Sequence, residues 1–295
     1  MNADYARLRE RLSAASFLPD KPEETPDTTL RALWYAAAGQ PKSAVAAGGG
    51  ELPALDACGA ARLDALIGER LAGTPLAHLT GRQHFMGLEM IAGPGALVPR
   101  KETELLARTA VALMQEVAGP ATFVDVCTGC GNVALAVARA VPSARVFGAD
   151  ISEEAIALAC RNAEWLGLDG RAGFRTGDLL APFDGADFLG NVDVLTCNPP
   201  YISSGKVGQM AEEIALHEPR LAFDGGPLGV TILMRLLQEA PRFLKPSGAL
   251  AFEVGLGQGP ALVRRLKASD AYRDVRELTD DRGDVRAVAA RRREG

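Results

Sequence analysis

The tetrapeptide Asn198-Pro199-Pro200-Tyr201 has the spacing richest in chemistry. It follows Val194-Leu195-Thr196-Cys197, a run that reads as a buried strand. Two prolines remove two backbone donors and stiffen the turn, so carbonyl oxygens are left to accept. Asn198 adds a side-chain oxygen acceptor. A planar NH2 group at this corner would give one hydrogen to the Asn198 side chain and the other to the Pro199 carbonyl. Tyr201 would pack against the flat body of that group. Two strong acceptors return lone-pair density to an amide nitrogen, which otherwise shares it with its carbonyl. The nitrogen would then face an electrophile above the plane, and transfer would depend on in-line placement more than on a strong base. The plain alternative is a strand-ending turn with asparagine as an ordinary turn residue.

Three further features fall at expected strand ends. Asp125-Val126-Cys127-Thr128-Gly129-Cys130-Gly131 offers glycines that let the backbone approach a ligand, and a helix start that offers N–H groups. Asp150 comes about twenty residues later, a separation suited to a carboxylate that accepts from two ribose hydroxyls. Thr176-Gly177-Asp178-Leu179 sets a carboxylate and an apolar side chain where an adenine ring would lie. Together they point to a nucleoside. The dinucleotide fingerprint lacks its third glycine, since Val133 stands there, and no basic or phosphate-cradling group follows. S-adenosylmethionine, a nucleoside sulfonium without phosphate, fits that pattern and supplies the electrophile.

These positions need strands that end beside one another. From residue 122 the chain repeats a strand-then-helix rhythm. Strands are expected at Thr122–Val126, Arg145–Ala149, Gly173–Thr176, Val192–Thr196, Ala249–Val254 and, last, Val285–Ala290. Helices are expected through Val141, after the cap Ser152, at Thr231–Phe243 and at Pro260–Ala268. Such alternation means an α/β fold with a mostly parallel sheet covered on both faces. Ahead of it, Pro99 to Glu104 opens a helix over Leu105–Val117, and Phe85–Pro99 reads as a hairpin. The first eighty residues read as helical. One face carries Tyr5, Leu8, Leu12 and Ala15 over positions 4–17. A second helix, capped by Thr28 or Thr29, runs through Gly39. A third runs from Asp56 to Gly73, after a loop from Pro41 to Pro53. The division is a helical unit at 1–80, a hairpin linker at 81–98 and a catalytic domain at 99–295.

Composition narrows the partners. The 295 residues are 47% hydrophobic and 23% charged, with a net charge of −5. That balance suits a globular chain and disfavours stable nucleic-acid binding, whose affinity comes from a basic face. The basic clusters, Arg264-Arg265 and Arg291-Arg292-Arg293, are short. No apolar run is long enough to span a membrane, and the start lacks a secretory pattern, so a cytoplasmic location is expected. The five cysteines (58, 127, 130, 160 and 197) suggest reduced thiols. Cys127-x-x-Cys130 has no second pair, and His78, His84 and His217 lack ligand spacing, so no metal is expected.

From about Leu79 to Arg291 the chain resembles the HemK/PrmC family of protein glutamine N5-methyltransferases, which modify the Gly-Gly-Gln motif of peptide chain release factors. The resemblance rests on Thr80-Gly81-Arg82 with Phe85 and Gly87, Val98-Pro99-Arg100 with Thr103-Glu104, and the glycine loop. It continues through Asp150, Arg161-Asn162-Ala163, Asp178, the Asn-Pro-Pro-Tyr segment, His217-Glu218-Pro219-Arg220 and Phe223-Asp224-Gly225-Gly226. It implies a Rossmann-like class I methyltransferase domain with a seven-stranded sheet, preceded by a small helical domain that docks the substrate protein. It implies cofactor contacts at Cys127, Thr128, Gly129, Cys130, Gly131, Asp150, Asp178, Leu179 and Asn198. The acceptor amide would be held by Asn198, Pro199, Pro200 and Tyr201. The sequence departs from the family pattern at Cys127, Cys130, Lys101-Glu102 and Pro227 to Val230, and matches it poorly over the first fifty residues. Three other readings stay open: N-methylation of a small amide or guanidine such as arginine, methylation of adenine in DNA, and a binding module without turnover.

Overall fold

The computed structural model describes residues 3–294. The N-terminal part is made of α1 (Ala3–Leu12), α2 (Pro26–Ala37), α3 (Ala44–Ala47), α4 (Ala57–Leu71) and α5 (Leu76–Thr80). Helix α2 starts earlier than its composition suggests. Thr25, not Thr28 or Thr29, is the cap: its hydroxyl accepts from Thr28 N at 3.2 Å, while Thr28 Oγ1 accepts from Thr25 N at 2.9 Å. This reciprocal box, with Pro26 at the first helical position, satisfies amides that would otherwise be orphaned. Helix α1 ends at Leu12, short of the expected residue 17, and α3 and α5 are short elements that periodicity does not reveal. Tyr5, Leu12, Leu30, Leu33, Leu63 and Ile67 form a separate core here.

A buried ion cluster ties this part to the remainder. Lys21 Nζ lies 2.8 Å from Glu213 Oε1, and Arg70 lies 2.9 Å from Glu213 Oε2 and 3.3 Å from Glu24 Oε2. All four side chains are almost fully buried, so removal of one partner strands a charge at a cost of roughly 3–5 kcal/mol.

The hairpin is shorter and earlier than expected: β1 (Arg82–Phe85) pairs with β2 (Leu88–Ile91) around Met86 and Gly87, both at positive φ. That is the geometry of a two-residue turn whose twist matches the strands. The chain continues through α6 (Glu104–Gln115), β3 (Thr122–Val126), α7 (Asn132–Ala140), β4 (Arg145–Asp150), α8 (Glu153–Trp165), β5 (Ala172–Thr176), β6 (Val192–Cys197) and α9 (Glu212–His217). It ends with α10 (Thr231–Phe243), β7 (Leu244–Glu253), α11 (Gly259–Lys267), β8 (Tyr272–Thr279) and β9 (Val285–Arg292). Asn162 on α8 clamps the hairpin, accepting from Ile91 N at 2.7 Å and donating to Ile91 O at 3.1 Å.

Seven strands form one sheet in the order β5-β4-β3-β6-β7-β9-β8. The pairs β5–β4, β4–β3, β3–β6 and β6–β7 are parallel, while β9 is antiparallel to both its neighbours. The chain leaves β3 toward β4 on one side and takes up β6 on the other, so strand order reverses between β3 and β6. The carboxyl end of that junction is where an open sheet leaves a crevice. Strands β3 and β6 are buried along their whole length, with apolar clusters on both faces. Strand β8 adds to the strands that the sequence leads one to expect. It is an edge strand, and its exposed Arg276 and Glu277 mask the alternation. No helix among the described residues is long and apolar enough to cross a membrane.

Candidate active site

A cavity of about 220 Å³ opens at the strand-order reversal. Cys127, Thr128 and Gly129 reach it from the end of β3, Asp150 from β4, Asp178 and Leu179 from the turn after β5, and Asn198 and Pro200 from the turn after β6. The features separated in sequence thus share one space. Asp150 is fixed by backbone: Oδ2 accepts from Gly129 N at 2.9 Å and Oδ1 from Ser152 N at 3.0 Å. Burial raises its pKa, and those amides pull the other way. Each carboxylate oxygen keeps a second lone pair, so Asp150 can still accept from a pair of hydroxyls.

Cys130 and Gly131 stand apart from the lining. Cys130 is 1% exposed, points into the core, and has its thiol pushed up to about 12 by burial. Gly131 has φ +82°, and a Cβ there would sit 2.9 Å from Phe174. Both shape the turn from strand to helix and do not face the cavity. Asp178 is also differently engaged than expected. Arg235 of α10 grips it with two hydrogen bonds, of 3.1 and 2.8 Å, and lines the cavity beside it. Nothing in the sequence around Arg235 announces that role. Asp125 does more than open the glycine loop. It accepts from Thr128 Oγ1 at 2.7 Å and from Thr196 Oγ1 at 2.6 Å, and burial pushes it up to about 6.

On the opposite wall, Asn198 donates from Nδ2 to Thr103 Oγ1 at 3.2 Å, the orientation that turns Oδ1 away from that hydroxyl. Pro200 lines the cavity, while Pro199 is buried behind the turn. Tyr201 is not among the lining residues either. Its hydroxyl donates to Glu102 Oε1 at 3.1 Å, and its carbonyl accepts from Gln258 Nε2 at 3.0 Å. The hydroxyl is held behind the corner by the half-buried Glu102, so Tyr201 also serves as a strut for the turn on which a flat acceptor is expected to lie. Burial raises its pKa well above the ordinary phenol value. Glu102 in turn meets Arg286 at 2.6 Å.

The glycines that follow seal this corner. A Cβ on Gly225 would collide with Pro200 O, and one on Gly229, at φ +69°, would collide with Tyr201 O. Ile202 N donates to Phe223 O at 2.9 Å and Gly225 N to Ile202 O at 2.8 Å, so the two segments run locked together. Glu218 accepts from Arg100 Nη2 at 2.6 Å and from Val98 N at 3.0 Å, which brings Pro219, Leu221 and Ala222 over the cavity. Among the described residues no group of three or more His, Cys, Asp or Glu side chains is arranged to hold a metal ion.

A family model described as "Methyltransferase domain" matches residues 120–271. The chain is 40% identical to the release factor glutamine methyltransferase of Moorella thermoacetica over 228 residues, covering 77% of this chain and 78% of that one. It is 35% identical to the enzyme of the same name from Streptomyces coelicolor, covering 79% and 81%. Among solved structures, the hMettl16 catalytic domain superposes with a TM-score of 0.54 at 12% identity, covering 70% of this chain and 76% of that one. Human methyltransferase 10 domain containing protein superposes with a TM-score of 0.50 at 16% identity, covering 70% and 88%. Those two likenesses concern the fold.

Proposed function

We propose that this chain, which belongs to the release factor glutamine methyltransferase family and is an S-adenosylmethionine-dependent methyltransferase, methylates the glutamine side-chain nitrogen in the Gly-Gly-Gln motif of a peptide chain release factor. The bound cofactor supplies a methyl group made electrophilic by its sulfonium. Asp150 accepts from the ribose hydroxyls while the amides of Gly129 and Ser152 hold its carboxylate in place. Thr128, Gly129 and Leu179 line the same cavity; Thr128 and Gly129 would hold the cofactor's amino-acid end, and Leu179 would pack on its base. Asp178 accepts at the edge of the base, steadied by Arg235.

The acceptor amide is gripped by the opposite wall. Asn198 Oδ1 takes one hydrogen of the glutamine NH2, and the Pro199 carbonyl takes the other. Pro200 and the strut of Tyr201 keep that turn rigid. A fixed pair of acceptors needs no reorganisation as charge develops on the nitrogen. As the new N–C bond forms, the sulfonium S–CH3 bond would break and leave the neutral thioether S-adenosylhomocysteine; the nitrogen, now cationic and acidic, would give its excess proton to water, so no strong base is required.

The observation that carries this reading is the orientation of Asn198: one hydrogen of its NH2 goes to Thr103, which leaves its oxygen to accept from the substrate, in the same cavity as Asp150. The test is incubation of the protein with methyl-labelled cofactor and a purified release factor, with free glutamine and free arginine as parallel acceptors. Label is expected on the release-factor glutamine, located by peptide mass analysis. Label in a free amino acid and none in the release factor would overturn the proposal.

A further inference from the structure

We propose that Glu253 is a positioning residue for methyl transfer, acting through the Thr103 hydroxyl to hold the Asn198 amide with its oxygen toward the acceptor. The inference rests on the function proposed above and deepens it. An asparagine amide can be turned by half a rotation, which exchanges its oxygen for its NH2. With Oδ1 toward the cavity, Asn198 accepts the hydrogen of a substrate amide. With Nδ2 there, it presents a donor to a donor and cannot aim the acceptor nitrogen, although the rest of the substrate protein still docks.

The Thr103 hydroxyl decides between the two, because it has one hydrogen to give and lone pairs to receive. Glu253 closes β7 beneath it, and both side chains are 2% exposed. Glu253 lies beside the Thr103 and Tyr201 hydroxyls, which draw its carboxyl toward the ionised form, while the Tyr201 hydrogen itself goes to Glu102. An ionised Glu253 only accepts, so it claims the Thr103 hydrogen and leaves lone pairs for Asn198 Nδ2, the arrangement observed at 3.2 Å. A protonated Glu253 can give its own hydrogen to Thr103 Oγ1. The threonine hydrogen is then free to point at Asn198, which favours the turned amide.

The surroundings put this choice near neutrality. Burial first, and then the negative charge of Glu102, push Glu253 up to about 7, against the pull of Thr103, Arg286 and Tyr201. Those groups come from every side: Glu102 and Thr103 precede α6, Tyr201 follows β6, and Arg286 lies on β9. Arg286 is spoken for by Glu102 at 2.6 Å, and Glu253 Oε2 has no hydrogen-bond partner among the described residues. Glu253 is therefore not neutralised by a dedicated cation and can change its protonation. The ionised form is the competent one, so turnover should fall as pH drops through about 7.

The experiment measures kcat and the acceptor KM across the neutral range for the wild type, E253Q, T103V and T103S, with circular dichroism melts as a check on folding. The wild-type kcat should lose activity on the acid side with a midpoint near that of Glu253, with little change in KM. E253Q has no group to titrate there, and its acid limb should disappear or move down toward Asp125, which is pushed up to about 6. T103V, nearly isosteric, should lower kcat by roughly tenfold or more, the effect of one lost positioning hydrogen bond. T103S should restore it. An active wild type whose acid limb survives in E253Q, or a folded T103V with the wild-type kcat, overturns the inference alone. A wild type that methylates no release factor overturns the parent reading and this inference with it.

Discussion

On one wall of the cavity Asp150 is held by the backbone amides of Gly129 and Ser152; on the other, Asn198 is held by the side chain of Thr103. The first wall draws on consecutive strand ends and the turns that follow them. The second gathers Glu102, Thr103, Tyr201, Glu253 and Arg286 from four distant stretches of chain. A backbone-held carboxylate stays in position when its neighbours are substituted, because every residue but proline supplies an amide. A side-chain-held amide depends on each link. The cofactor wall should therefore tolerate change in its surroundings, while the acceptor wall should fail through residues that never touch the substrate.

The sharpest break in this contrast is Asn198→Ala. On the proposed mechanism it removes an acceptor aimed at the developing charge, and the expected loss is about 100- to 1000-fold in kcat, by analogy with loss of one preorganised group at a reacting centre. Steady-state kinetics with release factor checks this, and an unchanged melt would show that the fold survives. Asp150→Ala acts on the other wall. It should raise the cofactor Kd by roughly 10- to 100-fold, the range for hydrogen bonds to a charged group, with kcat at saturating cofactor far less affected. Equilibrium dialysis reads the first quantity and kinetics the second. Were Asp150→Ala to act on kcat alone, the two walls would not divide the work as argued.

Gly225→Ala probes the corner without removing any reacting group. Its Cβ would collide with Pro200 O, so the turn must shift. Overpacking of this kind costs about 1–3 kcal/mol, and a displaced turn should also lower kcat several-fold. Chemical denaturation and kinetics on the same preparation check both. Substitution of Gly129, whose Cβ meets nothing within 4 Å, would strain the backbone at φ +54° without pushing on a neighbour.

The same contrast explains what is legible in the sequence. Strand β3 runs into the glycine turn, β4 closes on Asp150 and β6 runs into Asn198-Pro199, so the chemistry of the site sits within a few residues of short strand ends. Linear proximity puts Cys130 and Gly131 on the cofactor wall too, but it says nothing about direction. The turn at Gly129 and Gly131, both at positive φ, sends one inward and packs the other on Phe174. The contacts that hold the Tyr201 hydroxyl are equally hidden in the sequence. Its partners Glu102 and Arg286 lie 99 and 85 residues away, and no local pattern joins them. Arg235 and Glu253 carry no motif; an arginine on an amphipathic helix and a glutamate ending a strand are ordinary until the fold sets Asp178 and Thr103 beside them. The edge strand β8 leaves little signal because one face lies in solvent, whereas the buried strands are apolar on both faces.

The smallest effect expected is also the one that joins the two walls. Asp125 accepts from Thr128 in the cofactor loop and from Thr196 on the strand leading to Asn198. Burial outweighs those two hydrogen bonds and pushes its carboxyl up to about 6, above the 3.8 of an exposed aspartate. A folded-state value above the unfolded one means that the native protein binds the extra proton between pH 3.8 and about 6. Asp125 should therefore detract from stability above that window, and the deficit should diminish as pH falls through it. Asp125→Asn is uncharged throughout, so the difference in stability between variant and wild type should shift by roughly 1–3 kcal/mol between pH 7 and pH 4, in favour of the wild type at the lower pH. Urea unfolding of both proteins at the two pH values measures that shift. Because the substituted amide can still accept from one threonine but leaves its NH2 facing the other hydroxyl, the variant should also loosen one wall relative to its neighbour. A rise in cofactor Kd without a fall in kcat would assign the loosened link to Thr128, and a fall in kcat alone would assign it to Thr196.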